Sequence, residues 1–195
     1  MNARGVLLDR DGVINEVVYF PEVGVIDSAL NPDQFRLLPD VPDAIRALRD
    51  LGFKVAVVSN QPAIAKGKMT EKLFAEITLK MKSELERGGA GLDAEYYCFH
   101  HPDAVKQEYR IDCDCRKPKP GLFLRASSEL GLDPSRSFSV GDSLVDVKAG
   151  KAAGFKTILI GSMKCDLCRL MDQENARPDF VVASLMNAVD VIRRR

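Results

Sequence analysis

Asp9 and Asp11 stand two residues apart directly after the apolar run of residues 5–8, and Gly12 follows them. A second acidic pair, Asp142 and Asp146, follows Val140 and Gly141. In an extended backbone, residues two apart face the same way. Asp9 and Asp11 would then point into one space, with Asp142 arriving from another strand. Clustered carboxylates repel one another unless a cation sits between them. Hard oxygen ligands favour Mg²⁺, which keeps several waters and binds substrate phosphate. Asp11 has an alternative, giving its backbone carbonyl to the metal and keeping its carboxylate to trade protons. Gly12 permits close backbone approach beside the site.

A second constellation has softer ligands. Cys98 and His100 form one pair, and Cys113 and Cys115 another. Together they make a Cys₃His set, a common closed structural zinc site. One-residue spacing puts both members of each pair on one side of an extended chain, which favours His100 over His101. Four protein ligands leave no open position for water or substrate, so this zinc is expected to be structural. It would clip the ends of a loop over 98–115. Cys165 and Cys168 lack a matching second pair and read as free thiols. Directly after Cys115 comes Arg116-Lys117-Pro118-Lys119-Pro120, a cationic run suited to anions. Pro118 biases Lys117 towards extended backbone.

These groups need a frame that gathers them. Residues 5–9, 53–60, 95–100, 137–143, 155–161 and 179–182 read as short buried strands. Between them lie helical patterns. Val41, Ile45, Leu48 and Leu51 share a face, with Asp40 as the expected cap and Gly52 as the stop. Thr70 should cap a helix to about Arg87, Pro120 should open one ending at Gly131, and residues 143–153 should form another. Ser184 should cap the last, from Leu185 to about Ile192. Alternating strands and helices predict an α/β fold with a Rossmann-like, doubly wound, mainly parallel sheet. In such sheets ligands bind beyond the carboxyl ends of the strands, where the acidic residues and Ser59-Asn60 fall. The stretch 13–38 is too long for a simple connection.

The segments "LLDRDG", "VVSN", "RKPKPG" and "VGDSLVD" resemble, in order, the four motifs of haloacid dehalogenase-like (HAD) hydrolases. "NQPAIAKGK", "YYCFHHP" and "CDCRKPKPG" are similar to one subgroup, the heptose bisphosphate phosphatases, which lie close to the histidinol-phosphate phosphatases. The resemblance spans residue 5 to about 160 and implies a domain without a large cap that acts as a monomer. It implies a Mg²⁺-dependent phosphatase working through an aspartyl phosphate on a small phosphorylated metabolite. A heptose bisphosphate is the first expectation, histidinol phosphate the second and another sugar or polyol phosphate the third. Asp9 would be the nucleophile, Asp11 the general acid/base, and Ser59 a donor to the phosphoryl oxygens. Asn60 and Gly12 would lie against the substrate. Lys117 would neutralise phosphoryl charge, with Lys119 its rival. Asp142 would complete the Mg²⁺ site, Asp146 would support it or the lysine, and Arg116 would contact the rest of the substrate. Pro62-Ala63 and Ser143 depart from the subgroup's usual residues. The stretch 13–38, carrying Tyr19, Phe20 and Phe35, reads as a longer, substrate-facing flap.

The chain has 195 residues, enough for one domain with a sizeable core. Its formal net charge is zero, so the basic excess of a nucleic-acid binder is missing, and no partner of that kind is expected. No apolar stretch reads as a signal peptide or membrane span, so the cytoplasm is the expected location. A phosphoacceptor signalling module would also gather acids, a hydroxyl and a lysine. It has no use for the acid pair with Gly12 or for a zinc clip.

Overall fold

The computed structural model describes residues 2–161 and 175–194. Eight strands are present among them: β1 (Arg4–Leu8), β2 (Val18–Phe20), β3 (Val25–Asp27), β4 (Phe53–Asn60), β5 (Ala94–Cys98), β6 (Phe138–Gly141), β7 (Lys156–Ile160) and β8 (Phe180–Val182). The helices are α1 (Val41–Asp50), α2 (Glu71–Arg87), α3 (Gly121–Leu130), α4 (Leu144–Ala152) and α5 (Leu185–Arg193). Six strands form one sheet in the order β5-β4-β1-β6-β7-β8, every pair parallel. No described helix is long and apolar enough to cross a membrane.

The sheet is buried on both faces, which is why its strands read as unbroken apolar runs. Side chains alternate across it. Val6, Leu8, Val55 and Val57 pack with Ile45 of α1, Ile77 of α2 and Val189 of α5. Leu7, Ala56 and Val58 pack on the other face with Leu122, Phe123 and Ala126 of α3. The order of winding reverses at β1, between β4 and β6. That switch point opens a crevice beyond the carboxyl ends of these strands.

Local signals explain most element ends. Thr70 Oγ1 accepts from Leu73 N and Ser184 Oγ from Asn187 N, so both cap their helices. Gly131 ends α3 in a left-handed conformation with φ 62°. Asp40 behaves differently from expectation. It makes no cap to α1, and its Oδ2 accepts from Met186 N in the first turn of α5. Its own φ of −88° and ψ of −5° continue the helical backbone, so its side chain is not aimed at the N–H groups of α1.

The stretch 13–38 divides in two. Residues 18–27 form an antiparallel hairpin of β2 and β3, with Tyr19 paired to Ile26. Tyr19, Val23 and Ile26 are exposed there, and Lys68 ties the hairpin to the body through Asp27 at 2.6 Å. Val13, Ile14, Ala29 and Phe35 are fully buried in the core. Phe35 therefore belongs to the scaffold and not to a surface flap. Cys165 and Cys168 lie outside the described residues.

Candidate active site

Four sheet strands deliver the site. β1 ends at Leu8, and the Asp9 N–H donates to Val140 O of β6, fixing where Asp9 leaves the sheet. β4 runs further and carries Ser59 and Asn60 on its last two residues. β6 ends at Gly141 and hands on to Asp142 and to Asp146 in the first turn of α4. Lys117 comes from the connection after β5, a segment that reaches Gly121 by way of Cys113 and Cys115.

One carboxylate oxygen from each of Asp9, Asp142 and Asp146 fits within a space only 4.8 Å across. Lys117 Nζ enters this group, 3.0 Å from Asp9 Oδ1 and 2.5 Å from Asp146 Oδ1, and donates to Val58 O at 2.9 Å. Lys117 is 3% exposed, so its charge is held by partners and not by water. Burial alone would lower its pKa, but the Asp9 and Asp146 charges outweigh burial and hold it well above the ordinary lysine range. Burial pushes Asp9 up to about 6 despite Lys117, with the Asp146 charge adding to the rise. Asp142, though its residue is exposed on one side, is pushed up to about 7 by desolvation of its carboxylate and then by the charges of Asp9 and Asp146. These carboxylates carry more negative charge than one lysine offsets, which is the condition a divalent cation relieves. Hard oxygen donors of this kind suit Mg²⁺.

Two glycines let the acids come together. A Cβ on Gly12, whose φ is 78°, would overlap the Asp142 carboxylate. A Cβ on Gly141 would overlap the Asp146 side chain. Asp146 Oδ2 also accepts from Ser143 N at 3.1 Å and Ser143 Oγ at 2.6 Å, so one carboxylate caps α4 and holds Lys117.

Asp11 does not join the carboxylate group. The chain turns after Asp9, with Arg10 O accepting from the N–H groups of Val13, Ile14 and Asn15, and the two-residue alternation of a strand lapses. Arg10 Nη2 lies 3.0 Å from both Asp11 oxygens, Asn15 Nδ2 donates to Oδ1 at 3.0 Å, and Gln61 Nε2 donates to Oδ2 at 2.7 Å. Arg10, Asn15 and Gln61 are all fully buried. Sequence reasoning missed these three. Their one signal was position: polar residues set against the ends of apolar strands beside the acids and Ser59.

Ser59 is 1% exposed, and its hydroxyl beside Asp9 offsets part of that group's upward shift. Asn60 faces the chain and not an open space. Its Nδ2 donates to Lys117 O and its Oδ1 accepts from Lys117 N, both at 3.0 Å. Arg116 Nη1 donates to His100 O at 3.0 Å. Arg116, Lys117 and Lys119 line a cavity of about 490 Å³ with Pro102, Arg110 and Ile111. Lys119 is paired at 2.5 Å with exposed Asp112, away from the carboxylates. Tyr19 stands out on the hairpin, and Phe20 lines a separate cavity of about 330 Å³ with Val23, Val25 and Lys68.

The soft ligands also converge. Cys115 Sγ lies 3.2 Å from the Sγ of both Cys98 and Cys113 and 3.4 Å from His100 Nδ1. Cys98 Sγ lies 3.6 Å from Cys113 Sγ and 3.9 Å from His100 Nδ1. Zinc–sulfur bonds of about 2.3 Å in a tetrahedron put sulfurs about 3.8 Å apart, so the donor set fits zinc with little adjustment. His101 is turned elsewhere, its Nδ1 accepting from Asp103 N.

A HAD-hydrolase-like family model matches residues 114–188. The chain is 40% identical over 192 residues to D-glycero-beta-D-manno-heptose-1,7-bisphosphate 7-phosphatase of Pasteurella multocida (strain Pm70), covering 97% of both chains. It is 38% identical over 191 residues to the enzyme of the same name from Escherichia coli (strain K12), covering 97% of this chain and 94% of that one. Among solved structures it is similar to D,D-heptose 1,7-bisphosphate phosphatase from B. bronchiseptica complexed with magnesium and phosphate. That match has a TM-score of 0.78 and 28% identity and covers 98% of each chain.

Proposed function

This chain belongs to the D-glycero-D-manno-heptose-1,7-bisphosphate 7-phosphatase family of HAD-like hydrolases, a family of phosphoric monoester hydrolases, and we propose that it removes the 7-phosphate of that heptose bisphosphate. The observation that carries the reading is the contact between Asp9 and Lys117 inside a group of three carboxylates at the sheet's switch point. A half-buried carboxylate beside a buried ammonium can approach a phosphoryl group that would otherwise repel it.

Asp9 is the nucleophile. Its carboxylate oxygen forms a bond to phosphorus as the bond from phosphorus to the sugar oxygen breaks, giving an aspartyl phosphate. Asp11 gives a proton to the departing sugar alkoxide. It then takes a proton from the water that attacks the aspartyl phosphate, and inorganic phosphate leaves with Asp9 restored. Ser59 donates to the phosphoryl oxygens, and Lys117 offsets their charge throughout. Asp9, Asp142 and the backbone carbonyl of Asp11 would hold Mg²⁺, which supplies electrostatic stabilisation of the phosphoryl oxygens when bound. Asp146 keeps Lys117 aimed. The cavity lined by Arg116 receives the part of the substrate remote from the reacting phosphate. Cys98, His100, Cys113 and Cys115 would hold a zinc ion that does no chemistry, and the clip would keep Arg116 and Lys117 in place.

The test is phosphate release from a panel of both heptose bisphosphate anomers, histidinol phosphate and common sugar phosphates. A clear preference for a heptose bisphosphate, abolished by Asp9→Asn in a folded protein, is expected. Rates within a few-fold across the panel would mean a generalist, and turnover by Asp9→Asn would overturn the mechanism.

A further inference from the structure

Gln61 is fully buried, and its side chain reaches two residues with different duties. Its Nε2 donates to Asp11 Oδ2 at 2.7 Å and to Ser59 Oγ at 3.1 Å. A primary amide nitrogen carries two hydrogens, so both are spent. The orientation of the amide follows from its neighbours. Arg10 and Asn15 also donate to the Asp11 oxygens, so in this arrangement those oxygens act as acceptors and the nitrogen, not Oε1, faces Asp11.

We propose that Gln61 is a positioning residue that uses one amide nitrogen to hold Asp11 and to fix Ser59 as a hydrogen-bond donor. The inference rests on the phosphatase reading above. Because Ser59 Oγ accepts from Gln61, the proton of its own hydroxyl is left for Asp9 or for a phosphoryl oxygen beside it. A free serine rotor would spend part of its time pointing elsewhere. The same nitrogen makes the shortest of the hydrogen bonds to Asp11, shorter than those from Arg10 and Asn15. The residue that handles the leaving group and the residue that holds the phosphoryl oxygens are thus registered against one another through a single atom.

Gln61 is itself held from behind. Its backbone N–H donates to Cys98 O at 2.7 Å, at the point where β4 and β5 end with Asn60 beside Cys98. Cys98 belongs to the Cys₃His cluster. The backbone of Gln61 is therefore anchored on a residue that a metal would immobilise, and its side chain is not a mobile surface group.

The experiment compares Gln61→Met with the unaltered protein on a heptose bisphosphate and on p-nitrophenyl phosphate. Methionine keeps length and volume and removes both donors. On the sugar phosphate, kcat is expected to fall about 10–100-fold with KM changed less than about threefold, the scale set by losing orientation at a proton-transferring group. On p-nitrophenyl phosphate the loss in kcat/KM should be several-fold smaller than on the sugar phosphate, because a nitrophenolate departs without a proton and kcat/KM stops short of the later water step, in which Asp11 acts for both substrates. A packing defect would slow both substrates alike. Gln61→Glu, with no amide donors and an added carboxyl beside Asp11, should lose at least as much kcat and serves as the second variant if the methionine protein folds poorly. Unchanged kcat in either folded variant, equal losses of kcat/KM on both substrates, or a loss carried by KM would overturn the inference. Failure of the underlying reading shows separately, as turnover by Asp9→Asn, and would overturn both.

Discussion

Asn60 and Lys117 are joined by two reciprocal hydrogen bonds of 3.0 Å, the amide of one clasping the backbone N–H and C=O of the other. The clasp works like one more rung of a sheet, extending β4 to a segment that has no strand of its own. It fixes the backbone from which the Lys117 side chain descends to Val58 O, Asp9 and Asp146. Asn60→Ala removes both bonds at once. The expected outcome is a loss of about 1–3 kcal/mol in denaturant unfolding. A fall in kcat of about tenfold or more should accompany it, since small displacements of a phosphate-facing group are costly. Wild-type kcat in this variant would mean that the clasp does not position the lysine.

Lys117→Met tests the charge balance directly. The substitution leaves Asp9, Asp142 and Asp146 facing one another without the lysine that pairs with two of them. Breaking a buried pair in this way costs about 3–5 kcal/mol. Turnover should be lost. Stability should be partly regained when Mg²⁺ is added, because a divalent cation replaces some of the missing charge. Unfolding curves with and without Mg²⁺ measure both effects.

Zinc content tests the second cluster. Elemental analysis of the purified protein should show about one zinc per chain, and Cys113→Ser should lose it. Because Cys115 is followed at once by Arg116 and Lys117, the loss should lower kcat as well as the melting temperature. Full activity and stability in zinc-free protein would sink the assignment.

Much of this was legible in residue patterns. Strands buried on both faces read as apolar runs, and Thr70, Gly131 and Ser184 marked helix ends by chemistry that depends only on neighbours in the chain. The acids and Ser59 fell at or just past strand ends, where this topology places ligands, and Lys117 stood out by its place in the Arg-Lys-Pro-Lys-Pro run. What escaped depends on contacts between distant segments. Nothing local shows that Asp40 would serve α5, 146 residues away, or that Asn60 would turn to Lys117 instead of substrate. Arg10 sits between two acids and could have faced either. The turn after Asp9 decides for Asp11, and it breaks the alternation on which the expected pairing of Asp9 with Asp11 depended. The hairpin of β2 and β3 lacks a polar–apolar alternation because both its faces carry apolar residues: Tyr19 and Ile26 are exposed while Val18 packs against the core.

The raised carboxylates make stability and Mg²⁺ binding depend on pH in opposite senses. Asp9 is pushed up to about 6 and Asp142 to about 7, both from an ordinary value of 3.8. Between 3.8 and about 7 the folded metal-free protein therefore binds more protons than the unfolded chain. Stability falls with pH wherever the folded state holds more protons, so these two groups destabilise the metal-free protein as pH rises through that window. Mg²⁺ needs the ionised carboxylates and competes with the same protons. Its apparent affinity should rise over the same range and level off above about pH 7. The measurable consequence is a Mg²⁺-induced gain in melting temperature that is small near pH 5 and large near pH 8. Gly12→Ala should shrink that gain at high pH, because its Cβ would overlap the Asp142 carboxylate and its φ of 78° disfavours any side chain. A gain that is equal at both pH values would mean that Mg²⁺ does not bind at Asp9 and Asp142.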